Sequence, residues 1–245
     1  MRSYKVEGVV IKKRNFLEKD RILTIFSSEK GKIEILSKGC RRPGSKLSYC
    51  SDLGIIGKFY LHQGKSLDIL TEFKPIFFPR SISGHYKKTR FIGSIFAIVN
   101  KLFELDSPHR ETYKTLLELV ENIGYVPIEL AEVVFLSRVM SDLGFHPNLT
   151  QCAKCNKKFS EGEEFIYNEE GEICHKVCSE IQHRISTNCL KFLKLIFTHQ
   201  FEFIQRVKTE KNLMAETREY LEVLFVWHFG RIVNNKILFS MKGDE

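Results

Sequence analysis

Long apolar runs are missing from this chain of 245 residues. Its longest apolar stretches are fragments such as FIGSIFAIV, far short of the roughly 20 residues that a membrane-spanning helix needs. The N-terminal segment MRSYKVEGVVIKK also lacks the apolar core and small-residue cleavage site of a secretory signal peptide. We therefore expect a cytoplasmic protein that makes no membrane contact.

Common catalytic motifs are missing as well. The sequence contains no GxxxxGK[ST], GxGxxG, HExxH or GxSxG pattern. Zinc deaminases combine H-x-E with a later P-C-x-x-C. His109 and Glu111 supply the first half, but Pro147 stands five residues before Cys152 instead of next to it. We expect a binding protein, not an enzyme, and keep a zinc metalloenzyme of the deaminase type as the least favoured alternative.

Positive charge is concentrated in the first third of the chain. Residues 1–80 carry 17 Lys and Arg against 8 Asp and Glu, whereas residues 81–150 carry 7 against 8. Residues 151–245 are balanced, with 14 of each sign. Because the whole excess is segregated, it indicates a polyanion-binding domain joined to nearly neutral regions.

Short strand-like segments fill this basic third. VEGVVI, RILTIF, KIEILS, GIIGKFYL and SLDILTEF are rich in branched residues and are separated by glycine-containing turns. Five short strands cannot protect their edges as an open sheet, so the pattern favours a small closed barrel. An OB-fold is the leading prediction, and an SH3-like barrel is the competitor from pattern alone.

Helical periodicity replaces the strand pattern from residue 80 onward. Apolar residues recur at helical spacing from Ile92 to Phe103. Ser107 and Pro108 predict the start of a second helix, and Pro127 opens a third. CLKFLKLIF and NLMAETREYLEVLFVWHFG predict two more helices, which we expect to pack back on the central helices as one bundle.

The predicted fold class is therefore α+β and multidomain. A five-stranded OB-fold barrel at 1–79 is followed by an α-helical domain at 80–245. A zinc-ribbon or zinc-finger-like module with four cysteine ligands, at 150–182, is inserted in the helical domain.

Four of the seven cysteines cluster in this insert. Cys152, Cys155, Cys174 and Cys178 follow the pattern CxxC-x18-CxxxC, which predicts a tetrahedral Zn²⁺ site. Its last knuckle is one residue longer than in the usual zinc ribbon, so His175, which restores the usual spacing to Cys178, is the alternative fourth ligand. Four protein ligands close the coordination shell, which favours a structural ion. We expect the acidic segments EGEEF and NEEGE to be solvated surface.

A basic loop, KGCRRPGSKLS, joins the third and fourth strands. Its glycines and proline let a phosphate approach the backbone closely. We predict phosphodiester contacts in this loop from Lys38, Arg41, Arg42 and Lys46. Cations at the end of the first strand extend the candidate face: Lys12, Lys13 and Arg14. Candidate base-stacking side chains are Tyr4, Phe16, Tyr49 and Phe59. The alternative function is a zinc-stabilised basic scaffold that binds RNA or a ribonucleoprotein.

The order G-V-V-I, E-K-D-R-I-L-T-I-F, G-K-I and L-S-K-G-C-R-R-P-G-S-K-L resembles RecO, a family of bacterial recombination mediator proteins. LGFHPNLTQCAKC, a helix end that leads into the first knuckle, and GEIC before the third cysteine are similar to the same family. The resemblance covers nearly the whole chain in the same order of regions.

The resemblance implies a non-enzymatic role in DNA repair at the bacterial nucleoid. Family members bind single- and double-stranded DNA, anneal complementary strands and act with RecR. They engage the C-terminal tail of single-stranded DNA-binding protein and help load recombinase. The resemblance also implies that the loop cations Lys38, Arg41, Arg42 and Lys46 contact DNA, and it adds Arg21 to these predicted DNA contacts. The CxxxC knuckle departs from the family pattern, and some members lack the cysteines, so the metal is not needed for the shared function.

Overall fold

The computed structural model describes residues 3–79, 85–160, 162–179 and 183–230. The chain forms two compact units, one that ends at Tyr125 and one that begins at Val126. The first unit therefore includes two helices besides the barrel. The predicted domain boundary at residue 79 stays a prediction.

Five strands close into a barrel in the first unit. They are β1 (Ser3–Phe16), β2 (Asp20–Ser27), β3 (Gly31–Ser37), β4 (Ile56–His62) and β5 (Asp68–Phe77). Their order around the barrel is β1-β2-β3-β5-β4, with β3 and β5 parallel and the other pairs antiparallel. This closed five-stranded barrel confirms the predicted OB-fold.

Aromatic rings fill the barrel interior where the backbone leaves room for them. Gly8 and Gly57 face each other across β1 and β4. A Cβ atom at Gly57 would lie 2.3 Å from the ring of Phe73, so only glycine allows that ring to enter. The Phe73 ring packs against Phe59, with 4.8 Å between ring centroids. Gly57 therefore allows the close packing of β4 and β5, and Gly8 allows that of β1 and β2, since a Cβ atom there would lie 2.4 Å from Ile25.

Two helices, α1 (Tyr86–Leu102) and α2 (Arg110–Asn122), pack against the barrel strands β1 and β2. Phe26 on β2 contacts Phe103 at the end of α1, with ring centroids 5.4 Å apart. Nearly every residue of β2 is buried, as expected for a strand that is covered on its outer face as well as inside the barrel.

The predicted start of α2 at Ser107 and Pro108 is wrong. The helix begins at Arg110, after His109. The carbonyl oxygen of Ser107 lies where a Cβ atom of Gly31 would stand, at a distance of 1.8 Å. Residues 107 and 108 are thus held against the β2–β3 turn and cannot form the first helical turn.

The second unit contains α3 (Ile128–Asp142), α4 (Thr187–Thr198), α5 (Phe201–Ile204) and α6 (Lys211–Phe229). Helices α3, α4 and α6 pack against one another, as the bundle prediction requires for these three. Gly144, with φ +85°, ends the turn after α3, where the Phe145 backbone N–H donates to the Met140 carbonyl. Within the described ranges, no helix is both long and apolar enough to cross a membrane.

A small sheet between α3 and α4 carries the cysteine insert. Its strands are β6 (Phe165–Tyr167), β7 (Ile173–His175) and β8 (His183–Ile185), in the antiparallel order β7-β6-β8. The β6–β7 turn rests on α6, because the Tyr220 hydroxyl donates to the Gly171 carbonyl at 2.8 Å. This contact attaches the insert to the helical bundle.

Candidate nucleic-acid interface and metal centre

The basic loop between β3 and the turn at Tyr49–Ser51 is folded by consecutive tight turns. The backbone N–H of Arg42 donates to Gly39, that of Ser45 to Arg42, and that of Ser48 to Ser45, each at 3.1 Å. Gly39 and Gly44 have positive φ angles, which glycine adopts at no steric cost. The loop's cationic side chains are all exposed: Lys38, Arg41, Arg42 and Lys46.

This loop is held against the tip of the β1–β2 hairpin. The backbone N–H of Gly39 donates to the Asp20 carboxylate at 2.7 Å, and that of Arg41 donates to the Lys19 carbonyl at 3.0 Å. Lys19 is exposed and lies beside the loop. It was not among the predicted contacts, because its closeness to the loop depends on contacts between residues some twenty positions apart.

The remaining predicted cations lie on two different faces of the β1–β2 ribbon. Arg21 donates to the Ser51 hydroxyl at 2.5 Å, and Lys13 pairs with Asp52 at 2.8 Å. Both therefore lie beside the turn that follows the basic loop. Lys12 and Arg14 project to the opposite face, since neighbouring residues on a strand alternate in direction. The run KKR thus does not form one surface.

Only two of the four candidate base-stacking rings are accessible. Phe59 is completely buried in the barrel. The Tyr4 hydroxyl donates to Asp68, and the Lys30 ammonium lies 4.1 Å from the centroid of its ring. Phe16 and Tyr49 are 37% and 40% exposed, and the Tyr49 ring also packs against Phe73, with ring centroids 5.8 Å apart.

The cysteine insert builds a four-donor cluster from two knuckles. In the first, Cys152 and Cys155 flank a tight turn in which the Asn156 backbone N–H donates to the Cys152 carbonyl at 3.0 Å. The second contributes His175, at the end of β7, and Cys178, in the short 3-10 turn that follows. The Sγ atoms of the three cysteines and one His175 ring nitrogen lie within 4.8 Å of one another.

These four donors fit a tetrahedral metal ion. Zinc–sulfur bonds of about 2.3 Å place neighbouring donors roughly 3.8 Å apart, close to the separation seen here. The Nδ1 atom of His175 lies 3.4 Å from the Cys155 sulfur. Burial raises the pKa of the Cys152 thiol, but backbone N–H donors near Cys155 and His175 outweigh it and lower this pKa to about 6. A thiolate is the form that binds metal.

Cys174 lies outside this group, and the alternative ligand His175 lies inside it. Cys174 is paired with Ile166 on β6 and packs against Ile166 and Cys152, and its thiol is in hydrogen-bonding contact with the Cys152 thiol. Among the described residues, the group of Cys152, Cys155, His175 and Cys178 is the one donor cluster of metal-binding geometry. His109 is not part of it, and its ring packs instead against Phe103.

A carboxylate orients the His175 ring. The Oε2 atom of Glu163 lies 3.1 Å from the Nε2 atom of His175, on the side of the ring away from Cys155. A proton on Nε2 leaves Nδ1 as the metal-binding atom. Glu163, in the segment EGEEF, is exposed as expected and in addition contacts His175.

Two family models match consecutive parts of the chain. "Recombination protein O N terminal" matches residues 1–78, and "Recombination protein O C terminal" matches residues 85–236. The chain belongs to the RecO family. The first RecO match ends one residue after β5, and the second begins just before α1.

Curated RecO relatives cover most of the chain. A protein named DNA repair protein RecO from Caldicellulosiruptor bescii is 26% identical over 87% of this chain and 88% of its own length. The proteins of that name from Bacillus subtilis and Listeria innocua are 23% and 25% identical. They span 95% and 89% of this chain, and 92% and 85% of their own lengths. The relatives thus include both the barrel and the helical part.

Proposed function

We propose that this protein is a non-enzymatic recombination mediator that binds single- and double-stranded DNA and anneals complementary strands. In recombinational repair it helps load recombinase onto DNA coated with single-stranded DNA-binding protein, acting with RecR and with the C-terminal tail of that protein. Membership of a family whose curated members are named DNA repair proteins supports this role. The observation that carries it is the folded basic loop.

The loop has the properties of a phosphate-binding surface. Its segment from Lys38 to Ser48 contains no Asp or Glu, and all four of its cationic side chains are exposed. Its backbone bonds to the β1–β2 hairpin hold it in place, so the cations reach a backbone phosphate without first ordering a flexible segment. Arg21 and Lys13 lie beside the following turn and continue the charged surface.

Annealing requires two strands to approach with their charge neutralised and their bases free. A cationic surface that contacts phosphates and does not read base edges meets both conditions. Such binding is independent of sequence and depends strongly on salt, because each phosphate contact releases a condensed counterion. No covalent step is needed, which agrees with the lack of catalytic motifs.

We further propose that the cluster of Cys152, Cys155, His175 and Cys178 holds a structural Zn²⁺ ion. Three thiolates and one imidazole are a donor set that zinc prefers, and all four coordination positions are taken by protein. The ion would supply folding energy to the insert. The division into an OB-fold domain at 1–79 and a helical domain at 80–245 with its insert at 150–182 belongs to the same proposal.

The test reverses charge in the loop with the double substitution Arg41→Glu and Arg42→Glu. Affinity for an oligonucleotide and the rate of strand annealing are measured over a series of salt concentrations, with and without single-stranded DNA-binding protein. Loss of two phosphate contacts should reduce the slope of log affinity against log salt by about 1.4 to 1.8. Annealing should slow in parallel.

The matched control reverses Lys58 and Lys65, which are exposed on β4 and in the β4–β5 loop. That loop lies at the other end of β1, where Ser3 pairs with His62. The control changes the net charge equally and should keep most of the binding. Equal losses in both variants would show that only overall charge matters. Preference for structured RNA over DNA in every assay would favour the scaffold function instead.

A further inference from the structure

The β1–β2 hairpin extends beyond the part of the barrel that β4 covers. Strand β1 pairs with β4 only as far as Val9, whereas its pairing with β2 continues to Phe16 opposite Asp20. A register shift after Val10 separates the two parts of β1. The hairpin therefore presents its last residues and its turn as a ribbon at one end of the barrel.

The tip of this ribbon carries two exposed apolar side chains. Leu17 is 74% exposed and has a φ angle of +51°, a conformation that a leucine adopts only against steric resistance. Phe16 precedes it and is partly exposed. Lysines and a bulge on an edge strand are explained by protection against edge-to-edge pairing. A Phe–Leu pair at the tip has the opposite effect and needs another explanation.

Cations border this apolar tip. Lys19 is exposed in the same turn, next to the exposed Glu18, and its carbonyl accepts from the backbone of Arg41, so the basic loop lies directly beside the tip. The second contact, from Gly39 to the Asp20 carboxylate, fixes the loop at the hairpin end. Apolar side chains next to exposed guanidinium and ammonium groups match the two parts of a nucleotide, a base face and a phosphate.

We infer that Phe16 and Leu17 form a base-contacting tip that binds the unstacked bases of single-stranded DNA while the adjacent loop binds the phosphates. A phenylalanine ring stacks on any base, and leucine packs against a base face or between neighbouring bases. Paired bases in a duplex are stacked on each other and offer no such face. The tip thus gives the surface its preference for single strands. This inference rests on the proposed function.

The experiment compares the wild-type chain with the double variant Phe16→Ala, Leu17→Gly, in which glycine also relieves the strained φ angle. Affinities for oligo-dT and for a duplex of equal length are measured by fluorescence anisotropy at several salt concentrations. We expect the affinity for oligo-dT to fall roughly 5- to 150-fold, which corresponds to one lost stacking contact. The salt slope and the duplex affinity should not change, because no charge is removed.

A matched control replaces Leu105, an equally apolar and 53% exposed residue in the loop between α1 and α2, with alanine. It should bind both DNAs like the wild type. An oligonucleotide that contains 2-aminopurine adds a direct readout, since its fluorescence changes when the probe base stacks on a ring. That change should be lost in the tip variant and kept in the control.

The outcomes separate the tip from the proposed function. If the wild type binds no DNA, or if charge reversal at Arg41 and Arg42 has no effect, the proposed function fails. If charge reversal weakens binding but the tip variant binds oligo-dT like the wild type, the inference alone is overturned. Equal losses for oligo-dT and duplex would mean that the tip only supports the loop, which also overturns the inference. A tip variant that loses binding to anionic lipid vesicles but not to oligo-dT would assign the tip to a membrane surface, and the inference would be abandoned.

Discussion

Replacing His175 with alanine tests the metal centre most directly, with Cys174→Ser as its matched control. The two residues are neighbours on β7, but only His175 lies within the four-donor cluster. We expect the wild type and the Cys174→Ser variant each to bind one zinc ion with similar affinity. The His175→Ala variant should bind zinc much more weakly, because one of four donors is gone.

The size of the loss follows from the donor count. Structural zinc sites in small proteins bind with about 10–16 kcal/mol. An equal share for each of four donors is about 2.5–4 kcal/mol, or roughly a 70- to 800-fold weaker affinity. Glu163→Gln should cost less, about 10- to 100-fold, because that change leaves all four donors and removes only the carboxylate that orients His175.

Zinc affinity is measured by competition with a chromophoric chelator, and the ligand set by the absorption spectrum of the cobalt-substituted protein. Three thiolates and one imidazole give a different band position and intensity from four thiolates. The wild-type spectrum should therefore match that of Cys174→Ser. If Cys174→Ser lost the ion or one thiolate band while His175→Ala kept both, the ligand assignment would be refuted.

Two further predictions use the fluorescence of Trp227, the chain's single tryptophan. Trp227 lies in α6, so its fluorescence reports on the second unit. Gly171→Ala should destabilise this unit towards urea by about 2–4 kcal/mol, since Gly171 has φ +81° and a Cβ atom would lie 2.5 Å from Leu224. Gly162→Ala, with a similar φ but open space around it, should cost only the backbone strain, about 1–2 kcal/mol, and similar losses in both would contradict the steric argument. Burial raises the pKa of the Glu132 carboxyl to about 7 despite its partner Arg218 at 3.0 Å. The folded state therefore holds this proton more tightly than the unfolded chain, and stability should fall as pH rises from about 4.5 to 7. Glu132→Gln should remove about 3 kcal/mol of that decline, and parallel pH profiles of the two proteins would exclude Glu132 as its source.

The barrel could be predicted from the sequence because its strands obey local rules. In KIEI, apolar and polar residues alternate, and β3 buries every second residue as that pattern requires. RILTIF holds a further signal, since nearly every residue of β2 is buried. A strand buried on both faces needs a cover outside the barrel. That signal indicates that helices pack on the barrel, although it does not say which ones.

The choice between Cys174 and His175 could not be made from spacing. Each of the two residues gives an acceptable ligand spacing to Cys178 when residues are counted along the chain. On a strand, however, neighbouring side chains point to opposite faces, so the register of β7 against β6 decides which one meets Cys155. The pairing of Ile166 with Cys174 places the Cys174 side chain against Ile166 and Cys152, and the His175 ring against the Cys155 thiol. Register depends on tertiary contacts that the motif does not contain.

The candidate DNA surface shows the same limit. Composition alone locates the cations of the loop, because charge and glycine content are local properties. Their position beside the hairpin tip depends on two backbone contacts, from Gly39 to Asp20 and from Arg41 to Lys19. Likewise, the pleat of β1 separates Lys13 from Lys12 and so divides a charge run that looks continuous in the sequence.

Local charge also argues that the metal insert is not the DNA-binding surface. Between Cys155 and Cys178 the chain has six Glu and three Lys. One of these lysines, Lys176, is paired with Glu164, and Glu163 lies against His175. A phosphate that approached this knuckle would meet carboxylates, and three thiolates bound to one zinc ion would leave a further negative charge. The insert therefore repels a polyanion where the loop at Lys38–Ser48 attracts one. Removal of the metal should unfold the insert and leave the salt slope of DNA binding unchanged.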